Sequence, residues 1–121
     1  MPLAFILDEN IRGPLWQFIR RHNARGADPL DVVRVGDVPE LPLASQDPDI
    51  IRWAARENRI LISLDEHTLA GHLMAFMAAG NHSPGILIPR AVPLIELVEF
   101  LACIAHASEP AEWQDQITYI P

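Results

Sequence analysis

The sequence predicts a single α/β domain, residues 1–121, with a three-layer α/β/α fold and a central, mainly parallel sheet. Short apolar segments alternate with helix-like segments along the whole chain, which is typical of repeated βα units. The strand-like segments are apolar at successive positions, as expected for strands that are buried on both faces of a sheet. Half of the 121 residues are hydrophobic, which is enough for one core, and the length fits one domain.

The first half of the chain predicts two strands, a helix and a loop. Residues 3–7, LAFIL, form an apolar run that stops at polar residues, and this pattern favours a buried strand. Pro14 suits the first turn of a helix, and Gly26 ends that helix. DVVRV at 31–35 is the second strand. Residues 36–45 contain two prolines and one glycine and are predicted to form a loop.

A second helix and a third strand follow. Asp47, Pro48 and Asp49 are typical of a helix start, since proline fits the first helical turn and acidic side chains complement the helix dipole there. RILISL at 59–64 is the third strand and ends in acidic residues. Residues 68–79 have the apolar spacing of a helix.

The last third of the chain predicts two more strands around a long helix. GILIP at 85–89 is the fourth strand. Pro93 opens a helix that extends to about His106, with apolar side chains at helical spacing and glutamates outside. ITYI at 117–120 is a terminal strand that we place at an edge of the sheet.

The predicted strand ends are acidic, and ligands of open parallel sheets bind beyond the carboxyl ends of the strands. Three separate stretches bring polar side chains to this rim. They are Asp8, Glu9 and Asn10 after the first strand, Asp47 at the second helix, and Ser63, Asp65 and His67 at the third strand end.

Clustered carboxylates point to metal chemistry. Like charges at short range raise each other's pKa values, and a divalent cation removes that cost. Mg²⁺ and Mn²⁺ prefer carboxylate and water ligands and can activate water against a phosphodiester. We therefore predict a Mg²⁺ or Mn²⁺ site with Asp8, Asp47 and Asp65 as ligands. Glu9 and His67 are the candidate bases.

Some of these acidic residues also have a purely structural interpretation. Asp47 precedes Pro48 and fits a helix N-cap. Glu9 is expected to point away from Asp8, because neighbouring residues of a strand face opposite sides. Asp8 and Asp65 are harder to explain structurally, since an acid directly after a buried strand caps nothing unless a helix starts at once. They are the strongest candidates for function.

The charge pattern limits how a nucleic acid could bind. The net charge is −7 and all nine cations are arginines, so the long-range field repels phosphate. An enzyme that reaches a phosphate through bound cations and a few local arginines remains compatible. Arg12 and Arg90 follow the first and fourth strands and suit phosphate binding. Together with Asn10 and Ser63 they form the candidate substrate-binding set.

The sequence also bears on location. Cys103 is the only cysteine, so an internal disulfide is excluded, and its apolar helix predicts a place in the core. The N-terminal apolar run is short and lacks a basic residue before it, which argues against a signal peptide. No apolar stretch has the ~20 residues of a membrane span. We expect a cytoplasmic protein that does not interact with a membrane.

Four segments in order, FILDEN, DVVRV, SQDPDIIRWAARENRILISLDEHT and GILIPR, resemble the small PIN-like domains of toxin type over about residues 3–90. The resemblance implies a PIN-like fold and acidic site residues at Asp8, Asp47 and Asp65. It also implies a Mg²⁺ or Mn²⁺ cofactor, ribonuclease activity on RNA, and a small antitoxin protein as partner. One position departs from the family pattern, since His67 stands where a second acid is common, which weakens the expected metal site.

Other interpretations stay open. A PIN-like domain that has lost catalysis would be a binding module, and His67 favours that alternative. A phosphoacceptor receiver domain also has acids after its strands, but it needs a lysine, and this chain has none. A dehalogenase-type phosphatase needs Asp-x-Asp, and Asn10 occupies the second position. A homodimer through the long helix or the terminal strand is a further expectation.

Overall fold

The computed structural model describes residues 2–11 and 13–121. Within these residues, strands and helices alternate in the predicted order. The strands are β1 (Ala4–Leu7), β2 (Asp31–Arg34), β3 (Ile60–Ile62), β4 (Ile86–Pro89) and β5 (Ile117–Ile120). The helices are α1 (Pro14–Ala24), α2 (Asp47–Glu57), α3 (Glu66–Ala78) and α4 (Leu94–Ala107). Two short 3₁₀ helices, Glu9–Ile11 and Pro110–Glu112, were not predicted.

The strands form one sheet in the order β2-β1-β3-β4-β5, and all four pairings between neighbours are parallel. The predicted central parallel sheet is therefore confirmed. This is the flavodoxin-like order of a doubly wound sheet, in which the direction of winding reverses between β1 and β3. The reversal opens a crevice beyond the carboxyl ends of those two strands, and ligands of such sheets bind there.

Helices cover both faces of the sheet, which confirms the three layers. Phe5 and Leu7 pack on the side of α1 and α4, whereas Ile6 between them packs on the side of α2 and α3. All three are completely buried. The continuous apolar strands thus divide their side chains between two cores, one on each face.

The last connection has the opposite hand to the first three. The α4 helix lies on the same face as α1, yet it leads to a strand on the other side of the sheet from β2. Only about 2% of parallel crossovers break the common hand. After α4 the chain returns to β5 past Trp113, and a Cβ added at Gly85 would collide with the Trp113 carbonyl oxygen. Glycine at 85, with φ +117°, is therefore required for this return path.

One prediction outside the site is wrong. Cys103 is exposed, because α4 buries the face that contains Leu101 and Ile104 and Cys103 lies on the side of Glu99 and His106, four residues before it and three after it. No helix among the described residues is long and apolar enough to cross a membrane.

Candidate active site

The candidate site lies where β1 and β3 end side by side. The Asp8 N–H donates to the Ile62 carbonyl at 2.9 Å, so the hydrogen-bond pattern of the sheet continues one residue beyond β1. Asp8 therefore has the fixed backbone of a strand residue although it stands at the rim. This is the crevice that the strand order creates.

Asp8 is a buried carboxylate with two fixed donors. Asp8 is only 7% exposed. Oδ1 accepts a hydrogen bond from the Glu9 N–H at 2.7 Å, and Oδ2 accepts one from the Ser63 hydroxyl at 2.7 Å. These two bonds define how the carboxylate is oriented.

Ser63 connects the residues around Asp8. Besides donating to Asp8, its hydroxyl oxygen accepts from the Asp65 N–H at 3.1 Å and from Asn10 Nδ2 at 3.4 Å. A serine hydroxyl has one donor and two acceptor positions, so all three are used. Ser63 is completely buried, and the structure therefore gives it the role of orienting Asp8. Asn10 holds the segment after β3, since its Nδ2 donates to Ser63 and its Oδ1 accepts from the Leu64 N–H at 3.2 Å.

Asp65 and Asp47 stand at the starts of α3 and α2. Asp65 occupies the N-cap position of α3, but its side chain makes no capping hydrogen bond, and no described group donates to its carboxylate. Gln46 holds the N-cap position of α2, so the capping interpretation of Asp47 is wrong. Asp47 Oδ2 instead accepts from the Thr68 hydroxyl at 2.7 Å, which ties the two helix starts together.

The three aspartates are electrostatically coupled. Burial raises the pKa of Asp8, hydrogen bonds from Ser63 and the Glu9 N–H oppose this effect, and the charges of Asp47 and Asp65 raise the pKa further. The protein thus keeps a carboxylate in a position where its charge is unfavourable. Such perturbed groups are concentrated at functional sites.

The remaining candidates lie around this centre. Glu9 is exposed, and its Oε1 accepts from the Ala44 N–H at 2.6 Å, which holds the loop before α2. His67 is exposed in the first turn of α3. The Arg90 guanidinium lies over the Tyr119 ring, 5.8 Å from its centre, and so is turned toward β5. Arg12 lies outside the described residues.

Thr68 is a site residue that the sequence interpretation missed. Its only sequence signal is its place three residues after Asp65, in the first turn of a helix. Its partner Asp47 is 21 residues away along the chain, and the pairing appears only once both helix starts reach the same rim.

The donor set suits a hard divalent cation, with a restriction. Among the described residues, no group of three His, Cys, Asp or Glu side chains is arranged to hold a metal ion, so three direct ligands are not preformed. Mg²⁺ commonly uses one or two carboxylates, several waters and substrate phosphate oxygens. Asp65 offers an unbonded carboxylate, and each Asp8 oxygen keeps acceptor capacity beyond its one hydrogen bond. Those two residues therefore fit a largely hydrated ion.

A surface groove lies away from this chemistry. It has a volume of about 580 Å³ between α2 and α3 and is lined by residues that include Ile51, Phe76, Arg52 and Arg56. The groove contains none of the three coupled aspartates. We place the candidate active site at the aspartates, because a buried, unfavourable charge is a stronger sign of function than the size of an open groove.

A scan against protein-family models finds no matching family, and neither the curated proteins nor the solved structures that were searched give a match.

Proposed function

We propose that this protein is a metal-dependent endoribonuclease that uses Mg²⁺ or Mn²⁺. The main support is the buried Asp8 carboxylate, coupled to Asp47 and Asp65 at the β1/β3 crevice. A carboxylate whose pKa is raised by neighbouring carboxylates is stabilised when a cation enters among them. The resemblance to PIN-like domains of toxin type supports RNA as the substrate.

Each residue of the site has a defined task in this proposal. Asp8 and Asp65 hold the ion, and Ser63 fixes the orientation of Asp8. Asp47 adds negative charge and would hold the ion directly or through water. When bound, the metal lowers the pKa of a water molecule and stabilises the charge that develops on the phosphate. His67 is exposed beside Asp65 and suits proton transfer, and Glu9 is the alternative base.

Substrate capture must depend on short-range contacts. The net charge of −7 gives no long-range attraction for RNA. A bound ion would supply the central positive charge for the phosphate, and Arg12 and Arg90, which follow the first and fourth strands in the sequence, are the candidate phosphate-binding arginines. An antitoxin protein would restrain the enzyme in the cytoplasm by placing an arginine or lysine among the three aspartates.

The test is cleavage of single-stranded RNA in the presence of Mn²⁺. We expect the wild-type chain to cut, Asp65→Asn to lose the activity, and Asp49→Asn to keep it. Asp49 is a matched control, since it is exposed near the same rim and forms its ion pair with Arg52 at 2.9 Å. Equal cleavage by all three proteins would mean that the activity does not arise at this site.

A binding module without catalysis is the second candidate. His67 favours it, since an acid is common at this position in the family that the sequence resembles. RNA binding without cleavage, unchanged by Mn²⁺, would select this function. The strand order is also that of receiver domains, but the chain contains no lysine to contact a phosphoryl group.

A further inference from the structure

The two edges of the sheet are built differently. At the β2 edge, Asp31 pairs with Arg59 at 2.9 Å, and the Arg34 guanidinium lies over the Trp16 ring, 4.4 Å from its centre. The other edge is β5, whose sequence ITYI contains no charged residue and no proline. Charges and prolines are the usual means by which proteins prevent an edge strand from pairing with another chain. The β5 strand contains neither, and the charged group beside it is the Arg90 guanidinium over the Tyr119 ring.

The β5 strand presents unused backbone groups at this edge. The Gln116 carbonyl accepts from the N–H of Ile86 in β4 at 2.9 Å, and the Ile120 carbonyl accepts from the N–H of Arg90, just after β4, at 2.6 Å. Because backbone groups alternate in direction along a strand, the N–H and C=O groups of Ile117 and Tyr119 point away from β4. Among the described residues these groups have no hydrogen-bond partner.

An apolar surface continues from this edge onto α3. Tyr119 is 48% exposed, and Ile117 shares its face of the sheet, the face covered by α2 and α3. On α3, Leu73 faces the sheet and Phe76 faces the groove to α2. Helical spacing then places Met74 and Met77, 72% and 38% exposed, on the flank toward β5. Exposed apolar side chains on one side of a sheet suit an interaction surface, and here the Arg90 guanidinium lies over the Tyr119 ring within it.

We propose that two copies of this chain pair through their β5 strands. The strands run antiparallel about a two-fold axis at Thr118, so the two five-stranded sheets join into one continuous sheet. Ile117 then exchanges both backbone hydrogen bonds with Tyr119 of the partner subunit. By symmetry Tyr119 does the same with Ile117 of the partner subunit, and all outward groups of both residues are satisfied.

The side chains favour a second copy of the chain as the occupant. Opposite residues in this register are Ile117 and the partner's Tyr119, a β-branched and aromatic pair, and Thr118 faces the partner's Thr118. Asp115 lies just before the strand, where its carboxylate accepts from the Ser83 N–H and pairs with His82, both at 2.7 Å. Arg90 lies beside the end of the strand, since its N–H donates to the Ile120 carbonyl. An antiparallel arrangement brings Asp115 toward the partner's Arg90, whereas a parallel one would bring like charges together. The edge is thus complementary to itself.

The first test is the mass in solution, measured by sedimentation equilibrium. We expect a species of twice the 13.5 kDa chain at micromolar concentration, and a shift to the single chain in Tyr119→Lys. That substitution is at an exposed position, and a cooperative thermal unfolding transition shows that the variant is folded. A wild-type chain that stays monomeric at 100-fold higher concentration would overturn the proposal. Pairing of this edge with a different protein, while the chain alone stays monomeric, would overturn it as well.

The second test examines the register by disulfide formation in a Cys103→Ser background. Thr118→Cys places two sulfurs in a pair with Cα atoms about 4.5 Å apart, within disulfide range. Tyr119→Cys is the matched control, since its two copies are offset and more than about 7 Å apart. We expect Thr118→Cys to crosslink at least tenfold faster under mild oxidation. Equal rates would overturn the proposed pairing.

Discussion

The aspartate cluster and the groove between α2 and α3 differ in how their charges are held. In the cluster, Asp8 is buried and neighbouring carboxylates raise its pKa. In the groove, Arg56 is exposed and lies 3.3 Å from Glu57 and 3.6 Å from Glu40, and Arg52 pairs with Asp49. The groove has a volume of about 580 Å³, yet its charges are compensated locally. The difference indicates that function is to be sought where the structure maintains an unfavourable charge, and the following predictions test that comparison.

The largest expected effect is on catalysis. Asp8→Asn should lower the rate of Mn²⁺-dependent RNA cleavage by about 100-fold or more, since it removes a charged ligand from the reaction centre. Arg56→Ala in the groove should change the rate by less than about twofold, because its charge is exposed and paired with surface acids. Single-turnover cleavage of a labelled RNA measures both. A stronger loss in the groove variant would reverse the comparison.

Ser63→Ala should destabilise the fold by about 2 kcal/mol. The substitution removes the hydroxyl that donates to the buried Asp8 carboxylate and leaves the Asp65 N–H without its acceptor. Urea unfolding at neutral pH measures the effect. Ser45→Ala is the control, because the Ser45 hydroxyl bonds only to the Pro42 carbonyl of the same exposed loop. If both variants lost the same stability, the Ser63 hydroxyl would have no special role in holding Asp8.

Asp8→Asn removes an unfavourable charge at neutral pH, but it places an amide NH2 group where Asp8 accepts from the Glu9 N–H or the Ser63 hydroxyl. The stability of the variant relative to the wild-type chain should therefore depend on pH. Burial raises the folded pKa of Asp8 above its unfolded value of about 3.8. In the window between the unfolded and folded pKa values, the folded state binds more protons, so this residue lowers stability as pH rises. Unfolding curves at pH 7 and pH 4 should therefore show a larger advantage of the variant at pH 7. An advantage that grows at pH 4 would contradict the burial argument.

The smallest effect is expected for stability in the groove. Arg56→Ala should change the free energy of unfolding by less than about 0.5 kcal/mol, because exposed ion pairs contribute little. The difference in unfolding free energy between the variant and the wild-type chain should be equally small in 0.05 M and 0.5 M salt. A loss comparable with that of Ser63→Ala would show that the groove depends on its charges more than their exposure indicates.

Much of the fold follows from local patterns in the sequence. Apolar runs such as LAFIL and helix starts such as Asp47-Pro48 place every strand and helix within a few residues of its observed bounds. The hand of the connection from β4 to β5 could not be predicted from the sequence. It depends on α4 packing beside α1 and not on any local pattern. Helical spacing would have predicted that Cys103 is exposed, whereas the apolar composition of α4 alone suggested that it lies in the core.

The candidate site was predictable in part, because two of its aspartates lie near the ends of strands that the sequence predicts. Asp8 directly follows β1 and Asp65 stands three residues after the end of β3, and the parallel sheet brings those strand ends together. The hydrogen bonds around them were not predictable, because Ser63 and Thr68 bond to residues 55 and 21 positions away. Such contacts depend on the strand order, which the sequence does not specify.

The most direct test of the proposed metal site is a calorimetric titration of the wild-type chain with Mn²⁺, repeated for Asp65→Asn and Asp49→Asn. We expect the wild-type chain and Asp49→Asn to bind one ion with equal affinity, and Asp65→Asn to lose at least tenfold in affinity. The two substitutions remove the same charge, so they differ only in whether that charge belongs to the coupled cluster. Equal binding by all three proteins, or no binding by the wild-type chain with RNA present, would contradict the assignment of Asp8, Asp47 and Asp65 as a metal site.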